Sequence, residues 1–211
     1  MSDRLPRLLV VTDRGATRGR PLREVVREAL GGGARLVQLR EKDLDAGDLL
    51  ALAEPLVADC HAAGAALLVN DRIDVALAAG ADGVVLPADS FPTEVARRLL
   101  GADAWVGRST HAGAEVERAA REGCDFALFG PVYATPAKAA FGPPQGLERL
   151  RHASVQGVAV FAIGGITAAN AGEATRAGAH GVAVIREVMS AADPRRAVES
   201  LLAALGEDAA V

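Results

Sequence analysis

The segment QLREKD, residues 38–43, places four charged side chains directly after an apolar run: Arg40, Glu41, Lys42 and Asp43. The run before it, GARLV, has the composition of a buried strand. One interpretation is a solvated turn. The other is a rim on which cations hold a phosphate group through charge-assisted hydrogen bonds. The charges alone leave both interpretations open.

A second polar pair, Asn70 and Asp71, ends the apolar run in LLVNDRID. Asp71 has the residue type and position of an N-cap for a helix beginning at Arg72. It also has the oxygen ligand that magnesium prefers beside phosphates. The sequence leaves both roles open, a structural cap and a metal ligand.

Two glycines, Gly164 and Gly165, separate an apolar run from a helix predicted to begin at Thr167. They could simply form a tight turn, or they could expose backbone N–H groups to an anion at a helix N-terminus. The later segment GVAVIREV supplies a second such junction at Ile185 and Arg186. With both junctions present, phosphate binding is favoured.

Two further segments carry groups that can bind phosphate. Thr135 and Lys138 lie in the long irregular stretch GPVYATPAKAAFGPPQG, and a loop of this length usually has a function. Lys138 could reach a phosphate, or it could be an ordinary exposed lysine. In GRSTHAG, Ser109 is favoured as a hydrogen-bond donor to phosphate over a nucleophile paired with His111.

The elements that position these residues follow from a local pattern in which a helix ends at glycine and a short apolar strand follows. Strands are predicted near 7–12, 34–40, 65–70, 82–86, 104–109, 125–130, 158–163 and 180–185. Helices are predicted near 21–30, 45–63, 72–79, 92–100, 112–122, 145–153, 168–177 and 193–205. Eight alternating units indicate an α/β fold, a single-domain (β/α)8 TIM barrel over residues 1–211 with an eight-stranded parallel sheet. An open doubly wound sheet is the less favoured alternative.

Composition limits the function classes. The chain has 211 residues, half of them hydrophobic, and a net charge of −4, which argues against nucleic acid as a partner. Cys60 and Cys124 lack the spacing of a zinc site and are expected to be reduced thiols. Without a signal peptide or an apolar stretch of membrane-spanning length, we expect a cytoplasmic protein with no membrane contact.

Several motifs together resemble the superfamily of thiamine-phosphate synthases and TenI thiazole tautomerases. They are VQLREKD, LLVNDRIDVALAAGADGVVL, GRSTH, FGPVYATPAK and VFAIGGI with GAHGVAVI. The resemblance covers about residues 8–205. It implies a synthase that condenses hydroxymethylpyrimidine diphosphate with thiazole phosphate, by loss of pyrophosphate followed by attack of the thiazole nitrogen. It also suggests a homodimer and small phosphorylated substrates.

The resemblance assigns roles to particular residues. It places the pyrimidine diphosphate on Gln38, Arg40 and Lys42, the pyrimidine beside Asn70, and Mg2+ on Asp71. It places the departing pyrophosphate on Ser109 and Lys138. The thiazole phosphate would lie against Thr135, Gly165 and the backbone at Ile185 and Arg186.

The chain also departs from the family pattern. Synthases carry a second magnesium carboxylate at the position of Ser90, and we expect Asp89 to replace it. Ala137 and Arg186 stand where synthases tend to have Thr and Ser, and Pro131 stands where the tautomerase has its catalytic His. REKD and ND favour the synthase, while LPADSF resembles the tautomerase. The alternatives are therefore a TenI-type tautomerase or a noncatalytic protein that binds thiazole phosphate or thiamine phosphate.

Overall fold

The computed structural model describes residues 5–135 and 143–206. Eight parallel strands form a closed barrel in chain order. The strands are β1 (Leu8–Val11), β2 (Leu36–Leu39), β3 (Ala66–Asn70), β4 (Gly83–Leu86), β5 (Trp105–Thr110), β6 (Phe126–Phe129), β7 (Ala159–Ile163) and β8 (Gly181–Val184). The main helices are α1 (Leu22–Gly31), α2 (Ala46–Ala62), α3 (Ile73–Ala79), α4 (Thr93–Leu100), α5 (Gly113–Arg121), α6 (Gly146–Ala153), α7 (Ala171–Arg176) and α9 (Pro194–Ala204).

The predicted barrel is confirmed. Strand β8 pairs with β1 in parallel, with Leu9 beside Ala183, which closes the sheet and excludes an open one. Each predicted strand and helix has its counterpart in the described residues. A short helix after β8, α8 (Arg186–Met189), and a 3-10 turn over Arg14–Ala16 add to the predicted set.

The barrel interior is a packed apolar layer rather than a pore, as in other barrels of this type. Alternate strand residues fill it: Leu9, Val11, Leu36, Leu68, Val85, Phe126, Leu128, Phe161 and Ala183. The rings of Phe126 and Phe161 meet edge to face, with centroids 5.3 Å apart. A Cβ on Gly107 would lie 2.3 Å from the Phe126 ring, so only glycine fits there.

The same alternation determines which side chains line the mouth of the barrel. Side chains two residues apart on a strand share a face. Gln38 therefore follows Leu36 inward, Asn70 follows Leu68, and Ser109 follows Gly107. Strand residues of the other parity pack against the helices in a larger outer core. No helix in the described part of the chain combines the length and apolar composition needed to cross a bilayer.

Candidate active site

The mouth of the barrel brings Gln38 and Asn70 together at the ends of neighbouring strands. Gln38 Nε2 donates to Asn70 Oδ1 over 3.0 Å. Gln38 is 1% exposed, and its Oε1 has no hydrogen-bond partner among the described residues. A buried acceptor without a partner is costly, so this oxygen is well placed to accept a hydrogen bond from a bound substrate.

The four charges of QLREKD are divided between two environments. Arg40 is half-buried and Lys42 is exposed. Glu41 is only 6% exposed, and it accepts hydrogen bonds from Thr12 Oγ1 at 2.7 Å and from the backbone N–H of Arg14. Glu41 therefore does not face solvent, because its carboxylate is enclosed by the β1–α1 loop.

Arg14 pairs with both carboxylates of the segment. Its guanidinium lies 3.2 Å from Glu41 and donates twice to exposed Asp43, at 2.7 and 2.5 Å. These hydrogen bonds hold the pKa of Asp43 below its usual range and raise the pKa of Arg14. Sequence reasoning missed Arg14, because it lies 29 residues away from Asp43 and no motif marks the contact.

Asp71 is not an N-cap. The cap position of α3 is Arg72, which makes no side-chain cap bond. Asp71 instead has a left-handed backbone with φ 64°, and its N–H bonds to the carbonyl of Val85 over 2.9 Å. This conformation is costly for a residue with a side chain and directs the carboxylate toward the loop after β4.

The partner of the Asp71 carboxylate is Ser90, whose hydroxyl donates to Asp71 Oδ1. Asp89, the predicted second metal ligand, has an exposed side chain, and its metal role stays a prediction. Among the described residues no three His, Cys, Asp or Glu side chains cluster as a metal site. Asp71 with Ser90 nevertheless fits magnesium, because the ion prefers oxygen donors and usually takes one or two carboxylates plus substrate phosphates.

Ser109 lies near the end of β5 and His111 directly follows the strand, and the described contacts contain no nucleophilic pair between them. His111 Nδ1 lies 2.7 Å from the carbonyl oxygen of Gly130, so this nitrogen carries the proton and donates. Ser109 is half-buried on the interior face of the strand. The arrangement supports the interpretation of Ser109 as a hydrogen-bond donor.

Backbone contacts shape the far side of the mouth. The N–H groups of Val132 and Tyr133 bond to the carbonyls of Ile163 and Gly164, over 2.9 and 3.0 Å. A Cβ on Gly165 would lie 2.7 Å from the Cβ of Tyr133, and the φ of Gly165 is 67°. Close approach and left-handed geometry therefore both require glycine there.

The helix predicted to begin at Thr167 begins later, at Ala171. The side chain of Asn170 accepts from the Thr167 N–H over 2.8 Å and holds residues 167–170 in a turn. Glu187 accepts from Ala168 N–H over 3.2 Å, which joins this turn to α8. Side-chain acceptors thus occupy two N–H groups that a phosphate would otherwise reach.

The remaining predicted site residues are placed as follows. Thr135 is half-buried at the end of the first described range. Ile185 precedes α8 and Arg186 begins it, with Arg186 exposed. Lys138 lies outside the described residues.

Comparison with known proteins identifies the family. The family model described as "Thiamine monophosphate synthase" matches residues 8–188. A relative from Geobacter sulfurreducens is 49% identical over 199 residues, covering 94% of this chain and 93% of its own. A relative from Roseiflexus castenholzii, named thiamine-phosphate synthase, is 45% identical and covers 91% of this chain and 85% of its own.

A solved structure gives the same result. The thiamine phosphate pyrophosphorylase from Pyrococcus furiosus superposes with a TM-score of 0.85 at 37% identity, covering 95% of both chains. Sequence, fold and chain coverage therefore agree. The chain belongs to the thiamine monophosphate synthase family.

Proposed function

We propose that this chain is a thiamine-phosphate synthase, joining hydroxymethylpyrimidine diphosphate to a thiazole phosphate and releasing pyrophosphate. The observation that carries this proposal is the convergence of amide, carboxylate and hydroxyl groups at one barrel mouth, with Gln38 bonded to Asn70 and Ser90 bonded to Asp71. Relatives that match most of the chain bear the same name.

The chemistry requires charge stabilisation more than proton transfer. The bond between the pyrimidine methylene carbon and the diphosphate oxygen breaks, and its electron pair leaves with pyrophosphate. The lone pair of the thiazole nitrogen then forms the new C–N bond. Arg40, Lys42 and Ser109 hold the diphosphate and stabilise the charge that develops on the departing oxygen. Lys138, which resemblance adds to this set, lies outside the described residues.

The pyrimidine lies against Gln38 and Asn70. The hydrogen bond between these amides fixes Gln38 Nε2 as a donor to Asn70 and leaves Gln38 Oε1 as an acceptor for substrate. An amino group on the pyrimidine ring would supply that donor. The pair therefore orients the ring whose methylene carbon reacts.

Asp71 would hold Mg2+, with Asp89 as a second ligand. Bound there, the ion would neutralise charge on the diphosphate. Ser90, whose hydroxyl donates to Asp71, orients the carboxylate. One carboxylate together with diphosphate oxygens is a sufficient ligand set for magnesium.

The thiazole phosphate binds on the opposite side, at Thr135, Gly164, Gly165, Ile185 and Arg186. The short helix after β8 supports this placement, because barrels often bind phosphate with the loops after strands seven and eight and a short extra helix. Glycine at 165 lets the backbone of the two loops approach closely.

The direct test is to incubate the pure protein with both substrates and Mg2+ and to follow pyrophosphate and thiamine phosphate. Both products should form in equal amounts, and Asp71→Asn serves as the matched inactive control. Absence of product at high protein concentration would overturn the synthase proposal. Accelerated interconversion of the thiazole carboxylate tautomers would then support the tautomerase, and ligand binding without turnover would support a binding protein.

Two further properties belong to the same proposal. We expect a homodimer, by resemblance to the family, and light scattering at working concentration measures it. We also expect cytoplasmic location, consistent with buried, unpaired Cys60 and Cys124. Cell fractionation tests the second expectation.

A further inference from the structure

The loop between β4 and α4 carries Ser90, and something must fix that loop for Ser90 to reach Asp71. Within it, the N–H of Ser90 bonds to the carbonyl of Pro87 over 3.2 Å. Both partners of that hydrogen bond belong to the loop, so the bond does not hold the loop to the barrel. Two arginines do. Arg118, on α5, donates to the carbonyl oxygen of Ala88 over 3.1 Å, and the buried Arg108, on β5, makes the larger set of contacts.

Arg108 reaches both ends of the loop. Its Nη1 donates to the carbonyl oxygen of Pro87 over 3.1 Å, and its Nη2 donates to the carbonyl oxygen of Phe91 over 2.7 Å. The same Nη2 lies 3.4 Å from Thr93 Oγ1, at the first residue of α4. The fork of the guanidinium therefore spans the segment in which Ser90 lies.

The position of Arg108 is unusual for stability alone. It has the parity of Val106 and Thr110, so its side chain lies between the barrel and the helices, and it is 2% exposed. Its carboxylate partner, Glu122, lies 3.4 Å away, and its Nε has no partner among the described residues. A buried cation that is incompletely satisfied costs free energy, whereas an apolar side chain would pack here without that cost.

We infer that Arg108 is a positioning residue for the proposed synthase reaction, holding the β4–α4 loop so that Ser90 orients the Asp71 carboxylate. The inference rests on the proposed function. It accounts for a guanidinium rather than an ammonium, because the two separated Nη atoms of the planar fork reach the carbonyls of Pro87 and Phe91, whereas an ammonium donates from a single nitrogen. It also accounts for the left-handed backbone at Asp71, since a strained residue needs a fixed partner.

The test compares wild type with Arg108→Lys, which keeps the charge but loses the fork. The first readout is Mn2+ binding in the presence of inorganic pyrophosphate, followed by electron paramagnetic resonance. Loss of a partner that orients a ligand typically weakens metal binding by about 10- to 100-fold, so we expect a weakening of about tenfold. The second readout is the Mg2+ dependence of turnover, while the KM for thiazole phosphate stays unchanged.

A matched control separates positioning from simple stability. Arg97, on α4, also donates to backbone carbonyls, those of Ala104 and Gly123, and pairs with Asp125 at 2.7 Å. Those groups lie at the opposite end of the strands. Arg97→Lys should lower the Tm without changing Mn2+ binding. Equal shifts in Mn2+ binding for both variants would overturn the inference.

A double-mutant cycle with Ser90→Ala tests the route. If Arg108 acts through Ser90, the double variant binds Mn2+ no more weakly than whichever single variant has the lower Mn2+ affinity. Multiplying effects would contradict that route. If Arg108→Lys does not fold, Arg108→Gln replaces the cation by a neutral amide that still carries N–H donors. If that variant also fails to fold, Arg108 serves fold stability and the inference is overturned.

Different results would overturn the positioning role of Arg108 and the proposed synthase function. An active wild type whose Mn2+ binding is unchanged by Arg108→Lys would overturn the inference alone. An inactive wild type with the expected Mn2+ shift would overturn the synthase proposal and keep the positioning role.

Discussion

The two sides of the barrel mouth are built from different parts of the chain. At β2 to β5, side chains contact one another: Gln38 donates to Asn70, and Ser90 donates to Asp71. At β6 to β8 the loops after β6 and β7 meet through the backbone, with the N–H groups of Val132 and Tyr133 bonded to the carbonyls of Ile163 and Gly164. The first side presents charged and amide groups suited to a diphosphate and its metal. The second presents main chain suited to a single phosphate.

The difference predicts that substitutions on the two sides act on different substrates. Side-chain changes near β3 should affect the diphosphate and metal. Changes that displace the backbone near β7 should affect the thiazole phosphate. Four substitutions test this division.

The largest effect is expected for Asp71→Asn, which preserves shape but removes the charge. Turnover should fall by at least about 100-fold, by comparison with the removal of one preorganised stabilising group. The KM for thiazole phosphate should change little. Steady-state kinetics with each substrate varied measures both quantities, and circular dichroism checks the fold. Near-normal turnover would remove Asp71 from the metal site.

Gly165→Ala tests the backbone side. Its Cβ would lie 2.8 Å from the carbonyl oxygen of Ala134 in a left-handed conformation, so the loops must separate. We expect the KM for thiazole phosphate to rise about tenfold, since a misplacement of about 1 Å costs that much or more. Gly113→Ala is the control, because a Cβ there meets nothing within 4 Å. An unchanged KM would show that this turn does not contact the thiazole phosphate.

Ser90→Asp restores the carboxylate that the family pattern places at this position. A second carboxylate beside Asp71 should raise the affinity for Mg2+ roughly 3- to 10-fold when diphosphate is present. The concentration of Mg2+ for half-maximal turnover should fall accordingly. Asp89→Asn provides the comparison: if Asp89 is a ligand, that concentration rises, and if it does not change, Asp89 has no metal role.

The smallest effect is expected outside the mouth, at Asp59 on α2. Hydrogen bonds from Arg23, at 2.6 Å, and Arg27 hold the pKa of Asp59 at about 2, below the usual 3.8. Asp59→Asn should therefore cost about 1 kcal/mol of unfolding free energy at pH 7. Because the folded pKa is depressed, this difference is fully present above pH 3.8 and disappears as pH falls through about 2. Urea unfolding at pH 7 and at about pH 2 measures the difference in unfolding free energy. Loss of affinity for either substrate in this variant would contradict the separation between the mouth and the rest of the barrel.

Much of the fold and part of the site could be predicted because they depend on local patterns. Glycine at helix ends and apolar runs located the strands, and position at the ends of those runs selected Gln38, Asn70 and Ser109. Contacts between loops could not be predicted in this way. Ser90 rather than Asp89 reaches Asp71, which lies 19 residues earlier in the sequence. Neighbouring residues of a loop point their side chains in different directions, so an error of one residue selects the wrong side chain.

The start of α7 shows the same limit. Thr167 has the residue type of a helix start, but the Asn170 side chain takes its N–H and forms a turn first. Arg108 shows it as well. It lies near the carboxyl end of β5, but its parity on the strand turns the side chain outward, beneath the β4–α4 loop.

Calorimetric titration of each ligand shows whether each side of the mouth binds its own substrate. Wild type, Asp71→Asn and Gly165→Ala would each be titrated with thiazole phosphate and with magnesium pyrophosphate. We predict a crossed result, in which Asp71→Asn loses affinity only for magnesium pyrophosphate and Gly165→Ala loses affinity only for thiazole phosphate. Loss of the same ligand by both variants would contradict it.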